Sequence, residues 1–269
     1  MRWRPSTRPA AATAWSNTKM LLLAAGGCAL AMALLVGVGL TILASLRGDN
    51  STAGASTAPL LAATQAISRE DALAEAPMAT AAPEAALPGP LSTRAPEPLL
   101  MPAATQIGPA DVPTGYPQTP EGALAQLASI DQVAMESGSL DGVRQVISSW
   151  AAPGGPSTES WSGVRGMASL LSAMGLPADA GGAASILVHP AMGLIKGTVG
   201  DAFAVVCVDF DFTVTAERTS RIAIADCQRM QWLGGRWVIG PGLEPAQPPS
   251  VWPGTDAAID AGYQELRNA

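Results

Sequence analysis

The sequence has little of what most chemistry requires. Among its 269 residues there is one histidine, His189, and only two lysines, Lys19 and Lys196. A lone histidine cannot supply a histidine-based metal site, and Cys28, Cys207 and Cys227 include no pair at zinc-ligand spacing. The expectation is therefore no metal and no cofactor. Charged residues make up 14% of the chain and the net charge is −7. Without clustered lysine and arginine there is no footprint for a phosphate backbone, which argues against nucleic acid as a direct partner. No serine stands in a strand-to-helix elbow, and there is no glycine-rich phosphate loop. Nothing in this inventory points to an enzyme.

What the chain does have is one long apolar run. Met20 to Leu46 contains no charged residue; as a helix it measures ~40 Å, enough to cross a hydrocarbon core of ~30 Å with tilt. Arg2, Arg4, Arg8 and Lys19 precede it with no acidic residue, whereas Arg47 and then Asp49 follow. The positive-inside rule puts residues 1–19 in the cytoplasm and everything after residue 46 outside the cell membrane. The alternative is a cleaved signal peptide, whose apolar core is ordinarily ~7–15 residues; an A-x-A-like site occurs near Ala53-Gly54-Ala55. Small residues at Ala29, Ala33, Gly37 and Thr41 form a ridge that lets two membrane helices approach, although alanine and glycine are frequent throughout the chain.

Residues 47–118 are rich in Ala, Pro, Ser and Thr and poor in aromatics. Prolines from Pro59 to Pro117 forbid a long helix or a central strand, and low aromatic content leaves little to bury. The expectation is a disordered linker with an r.m.s. span of ~45 Å, a transient helix near Leu60–Glu75 aside.

Residues 119–269 read as an α+β domain. Thr119 with Pro120 is a helix-start signal, followed by Leu124, Leu127, Ile130 and Ala134 at helical spacing. A second helix from Ser139 carries Val143, Val146, Ile147 and Trp150 on one face. A third, capped at Ser157 or Thr158, turns Trp161, Val164, Ala168 and Leu171 inward and ends at Gly175 and Pro177. The period then changes to that of strands. Ile186 to Val199 reads as one strand or two, Phe203–Thr215 as a long strand with even positions buried, Ser220–Leu233 as the next, and Gly234-Gly235 as a tight turn into Arg236–Ile239. A possible short helix from Thr255 places Ile259, Tyr263 and Leu266 on one side, folding back on the domain or meeting a partner.

Register extends this reading, because opposed residues of an antiparallel pair share a face. A three-residue turn centred on Glu217 pairs 213 with 221 and 211 with 223, and sets Cys207 against Cys227. A disulfide follows if the domain is outside; two independent small residues are the alternative. Asp209 and Asp211 point the same way along their strand and are the pocket candidates, with Arg221 and Arg229 as ion-pair partners. Trp252, beside prolines, is the candidate exposed interface anchor.

Three helices followed by a curved antiparallel sheet resemble the NTF2-like cone domains. Joined to a short inside tail, one span and a linker, they look like the VirB8/TcpC group of conjugative-transfer membrane proteins. The segments Asp226–Gly242 and Ser250–Tyr263 are similar to membrane proteins of actinobacterial mobile elements. The TcpC type can carry two cone domains, whereas this chain shows one. The resemblance implies a non-enzymatic scaffold of a type IV secretion-like complex whose partners are other membrane subunits, with possible self-association. The alternatives are a secreted or wall-associated binding module, and an NTF2-like isomerase or dehydratase, which would need a polar pocket holding Asp209 or Asp211 near His189.

Overall fold

Helix caps set the first half of the domain. In a computed structural model that describes residues 67–178 and 184–269, the Thr119 side chain accepts from the Gly122 N–H and Pro120 opens helix α2, Pro120–Glu136. The Ser139 side chain accepts from Gly142 N–H at the start of α3, Leu140–Trp150. Caps of this kind contribute about 1 kcal/mol each. Helix α4 spans Ser162–Ala173, later than the caps at Ser157 or Thr158 predict. The hydroxyls of Ser157 and Ser160 bind each other's backbone N–H in a local turn, so the helix starts after them. The shift buries Met167 in place of Ala168, which is exposed.

Strands β4 (Ser185–Thr198), β5 (Phe203–Thr215), β6 (Thr219–Leu233) and β7 (Arg236–Ile239) follow in antiparallel order. β4 is one strand with irregularities at Pro190/Met192 and Ile195/Gly197. The β6–β7 turn is made by Gly234 and Gly235, both at positive φ (60° and 82°), as a two-residue hairpin turn of the right twist requires. β5 and β6 pair in the predicted register: Thr213 opposes Arg221, Asp211 opposes Ala223 and Cys207 opposes Cys227. The two cysteines are joined in a disulfide with Cα atoms 4.0 Å apart. The sheet is curled, and α2, α3 and α4 pack on the face carrying Val206, Val208, Phe210 and Phe212 around a core anchored by Trp150, Trp161 and Trp237.

The opposite sheet face is also covered, which the sequence reading did not anticipate. Residues 67–118, expected to belong to a disordered linker, are folded onto the domain. Helix α1 (Arg69–Glu75) is capped by Ser68. Strand β1 (Leu99–Met101) pairs in parallel with β8 (Gln264–Asn268), which itself pairs with β4, and a small hairpin joins β2 (Gln106–Ile107) to β3 (Pro113–Thr114). The segment cannot build its own core, so it borrows one. Ala74 packs with Phe203 and Val205, and Ala86 with Ala223 and Trp252. Backbone bonds supply the rest: Ala246 N–H to Ala74 O (3.0 Å), Trp252 N–H to Ala85 O (2.6 Å) and Ser92 N–H to Gly254 O (2.7 Å). Prolines do not prevent this, because the segment lies over the sheet as an extended strap rather than entering it as a central strand.

The tail completes the cover. Thr255 caps helix α5 (Asp256–Asp260), and Tyr263 is buried with Val251 and Ala258 over the disulfide. Leu266, expected on the helix, lies in β8. Arg94 ties strap to tail through Asp256 (3.0 Å) and Asp260 (2.8 Å). The predicted span Met20–Leu46 and its ridge at Ala29, Ala33, Gly37 and Thr41 lie outside the described residues; among the described residues no helix is long and apolar enough to cross a membrane.

Two outcomes test this architecture. Hydrogen–deuterium exchange should show protection at the amides of Ala246 and Trp252; exchange at the free-chain rate would return the strap to a linker. Replacing both Cys207 and Cys227 with alanine should lower stability by up to about 3 kcal/mol, the loop-closure value for a bridge of ~20 residues, measured by denaturant titration of the variant beside the oxidised wild-type chain.

Candidate functional site

β6 carries its even-numbered side chains toward the helices. Met230 is buried there, and Gln228 and Asp226 continue the row, opposite Val206 and Val208. α2 brings Asp131 to the same interior, only 4% exposed. The loop after β7 returns Glu244 to the start of α4, where Glu244 Oε1 accepts from the Ser162 N–H (2.7 Å) and hydroxyl (2.6 Å). A carboxylate at a helix N-terminus meets unpaired N–H groups and the positive end of the helix dipole. Arg165 Nη2 donates to Glu244 Oε2 at 3.0 Å. Beside Asp226 and Glu244 a half-open cleft of about 440 Å³ runs along the β6 edge, lined by Ser162, Arg165, Ser169, Asp226, Glu244 and Gln247, with Asp131 buried outside its lining.

The electrostatics of the cleft are those of crowded acids. Burial, then the charges of Asp226 and Glu244, push the Asp131 carboxyl well above the usual carboxylate range. Burial raises Asp226 to about 7, with Glu244 adding to it; Gln228, Ser162 and the Cys227 backbone pull it back through hydrogen bonds. The Gln228 amide donates to Asp226 Oδ2 (2.9 Å) and Glu244 Oε1 (3.3 Å). Asp131 Oδ2 is buried with no hydrogen-bond partner. A carboxyl raised to about 7 beside two other acids can hold or release a proton near neutral pH. Among the described residues no cluster of His, Cys, Asp and Glu has the geometry of a metal site.

The sequence candidates lie elsewhere. Asp211 pairs with Arg221 on the outer face. Asp209 was expected to pair with arginine and instead lies sealed beneath the tail, 0% exposed, with neither oxygen hydrogen-bonded. The Val251 N–H approaches without closing a bond, and burial pushes the Asp209 carboxyl up to about 8. Register explains the miss: Arg229 opposes Val205, while Asp209 opposes Ala225. Arg229 binds Asp71 of the strap at 2.6 Å. His189 opposes Asp211, is exposed and lies on the sheet face away from Asp226. Trp252, expected as an exposed interface anchor, is 8% exposed; it is a strap anchor beneath the Arg221 guanidinium, 4.9 Å from its ring centroid.

Two of these acids had a readable signal. Asp131 falls four residues after Leu127 on the inward face of α2, and Asp226 has the buried parity of β6; an acid at an apolar position marks either a site or a strain. Glu244, in a loop after Gly242, had none.

The raised Asp209 pKa has a defined sign. The folded chain holds this proton more tightly than the unfolded one, whose Asp titrates near ~3.9. Stability is therefore full below about pH 4 and declines as pH rises toward about 8. Asp209→Asn should raise the melting temperature by several degrees at pH 8 and change it little at pH 4, followed by circular dichroism. An unchanged melting temperature at pH 8 would mean that the carboxylate is already satisfied.

Comparison with known proteins returned no matching family model, no matching curated protein and no matching solved structure, so the cleft must be read from its own geometry.

Proposed function

We propose that the chain is a single-pass membrane scaffold subunit of a conjugative-transfer or type IV secretion-like complex, with an NTF2-like domain outside the membrane acting through protein contacts. The observation that carries it is the Cys207–Cys227 disulfide across the two central strands. Structural disulfides persist in oxidising compartments, which agrees with the orientation argued from the basic residues before Met20. Three helices on a curled, mostly antiparallel sheet support the NTF2-like part of the reading. The strap extends the folded domain toward the proposed span: the described residues begin at Ile67, well before Thr119.

The isomerase or dehydratase reading loses its stated support, because Asp209 is sealed, Asp211 is paired, and His189 lies on the other face from the acidic cleft. The binding-module reading draws on the cleft itself, which is the right size for a small polar ligand.

Crosslinking in a membrane preparation, followed by mass spectrometry of captured proteins, tests the assembly reading. Recovery of a transfer ATPase or other channel subunits is the expected result. Recovery of the chain alone, or of the chain in the cytosolic fraction, overturns it.

A further inference from the structure

Both cysteines of the Cys207–Cys227 disulfide lie under the tail. Cys207 is 0% exposed and Cys227 3%, and they share a buried cluster with Met192 of β4 and with Val251, Ala258 and Tyr263 of the tail. Cys227 also borders the cleft along β6, but at 3% exposure it offers that side no opening for a second sulfur. The tail is held to the layers beneath by hydrogen bonds that can break without unfolding the sheet. The Ala225 N–H donates to Ser250 Oγ (3.0 Å) and the Trp252 N–H to Ala85 O of the strap (2.6 Å). The Tyr263 hydroxyl donates within the tail, to Pro249 O (3.2 Å). We propose that residues 250–263 are a redox-coupled lid: the Cys207–Cys227 bond is made and broken with the lid open, and the lid closes fully over the bond and not over the two thiols.

The first half of the coupling is access. A dithiol reductant supplies the two electrons. Its thiolate attacks one cysteine sulfur, the S–S bond breaks, and the other cysteine leaves as a thiolate that takes a proton from water. The reductant's second thiol then closes its own disulfide and releases the first cysteine. Each step needs room for a foreign sulfur beside Cys207 or Cys227, and the closed tail leaves none. The second half is volume. A bond draws two sulfurs inside non-bonded contact; two thiols stand at that contact and each adds a hydrogen. The neighbours along β5 on the same face, Val205 and Asp209, are themselves buried. A packed layer moves rather than compresses, so the space comes from lifting Val251 and Tyr263. The two halves are linked: by whatever factor reduction favours the open lid, the closed lid favours the bond. Opening also loosens the strap, because Ser92 and Arg94 are bound to the same tail. The proposal rests on the fold alone and stands whether or not the chain belongs to a transfer complex.

The test compares three forms of the full chain in detergent at one pH: oxidised, reduced with excess dithiothreitol, and the oxidation-independent variant Cys207→Ala/Cys227→Ala. Hydrogen–deuterium exchange reads the lid at the amides of Trp252 and Tyr263. The double variant lacks the cross-link but also lacks both sulfurs, so it separates loss of the bond from the bulk of two thiols. Exchange at these amides should be about 10-fold or more faster in the reduced wild type than in the double variant, the scale for forcing extra atoms into a packed layer. Equal exchange in the two overturns the coupling. Trapping with iodoacetamide, read by mass spectrometry, gives the rate at which dithiothreitol opens the bond. Thr255→Ala, which removes the cap of α5 and leaves the main core intact, should speed reduction about 5-fold. Tyr263→Ala, checked for folding by circular dichroism, should speed it further. Reduction of both variants at the wild-type rate would mean that the sulfurs are reached through the cleft along β6, and overturns the lid.

Discussion

Placing Cys207 opposite Cys227 decides the environment of every other side chain on the two central strands. The pairing repeats every two residues, so this one choice sends Val206, Val208, Phe210 and Phe212 to the helices and Cys207, Asp209 and Asp211 to the other face. A slip by one residue would put Asp209 and Asp211 among the tryptophans of the main core. The disulfide holds the register in the covered half of the sheet. At the far end the Glu217 turn and the Asp211–Arg221 pair hold it on the exposed face.

The second face then needs a cover of its own, because Cys207, Val205 and Ala223 would otherwise lie bare. Strap and tail meet this need together. Ordering a strap residue costs roughly 1–2 kcal/mol, more than the ~1 kcal/mol net of one hydrogen bond. Backbone bonds alone therefore cannot hold it. The balance comes from small residues that sit flush on the sheet, Ala74 and Ala86, and from side chains that bridge the layers, Trp252 stacked under Arg221 and Arg229 bound to Asp71. Because Ser92 and Arg94 are bound to the tail, neither layer can leave without exposing the other.

The parts of the fold legible in the sequence are those where burial imposes a period. α2 and α3 have clean caps and apolar faces, and β5 and β6 have strict alternation with a turn that fixes their pairing. The strap has neither. Its anchors are alanines and main-chain groups, which carry no periodic signal, and its proline content reads as a linker because proline reports what a segment cannot be rather than what it lies against. Trp252 was misread for the same reason: its surroundings in sequence are prolines, whereas its surroundings in space are Ala86, Ala223 and Arg221. The acidic cluster was half legible. Asp131 and Asp226 break the apolar pattern of their own elements, but Glu244 joins them only through the path of a loop that no local pattern encodes.

Two acids with raised pKa flank the same stretch of sheet, one sealed and one open to a cleft. Asp209 and Asp226 are both raised chiefly by loss of water. Asp209 is enclosed by the tail, with Tyr263 and Val251 above it, so ionising it requires the cover to move; its free energy is tied to folding and nothing else. Asp226 opens on a cleft beside Glu244, so its proton can exchange with solvent while the fold stays intact. The same physical cause therefore yields a liability on one face and a titratable, accessible acid on the other. What distinguishes them is access, set by whether the chain passes over the residue or stops at its edge.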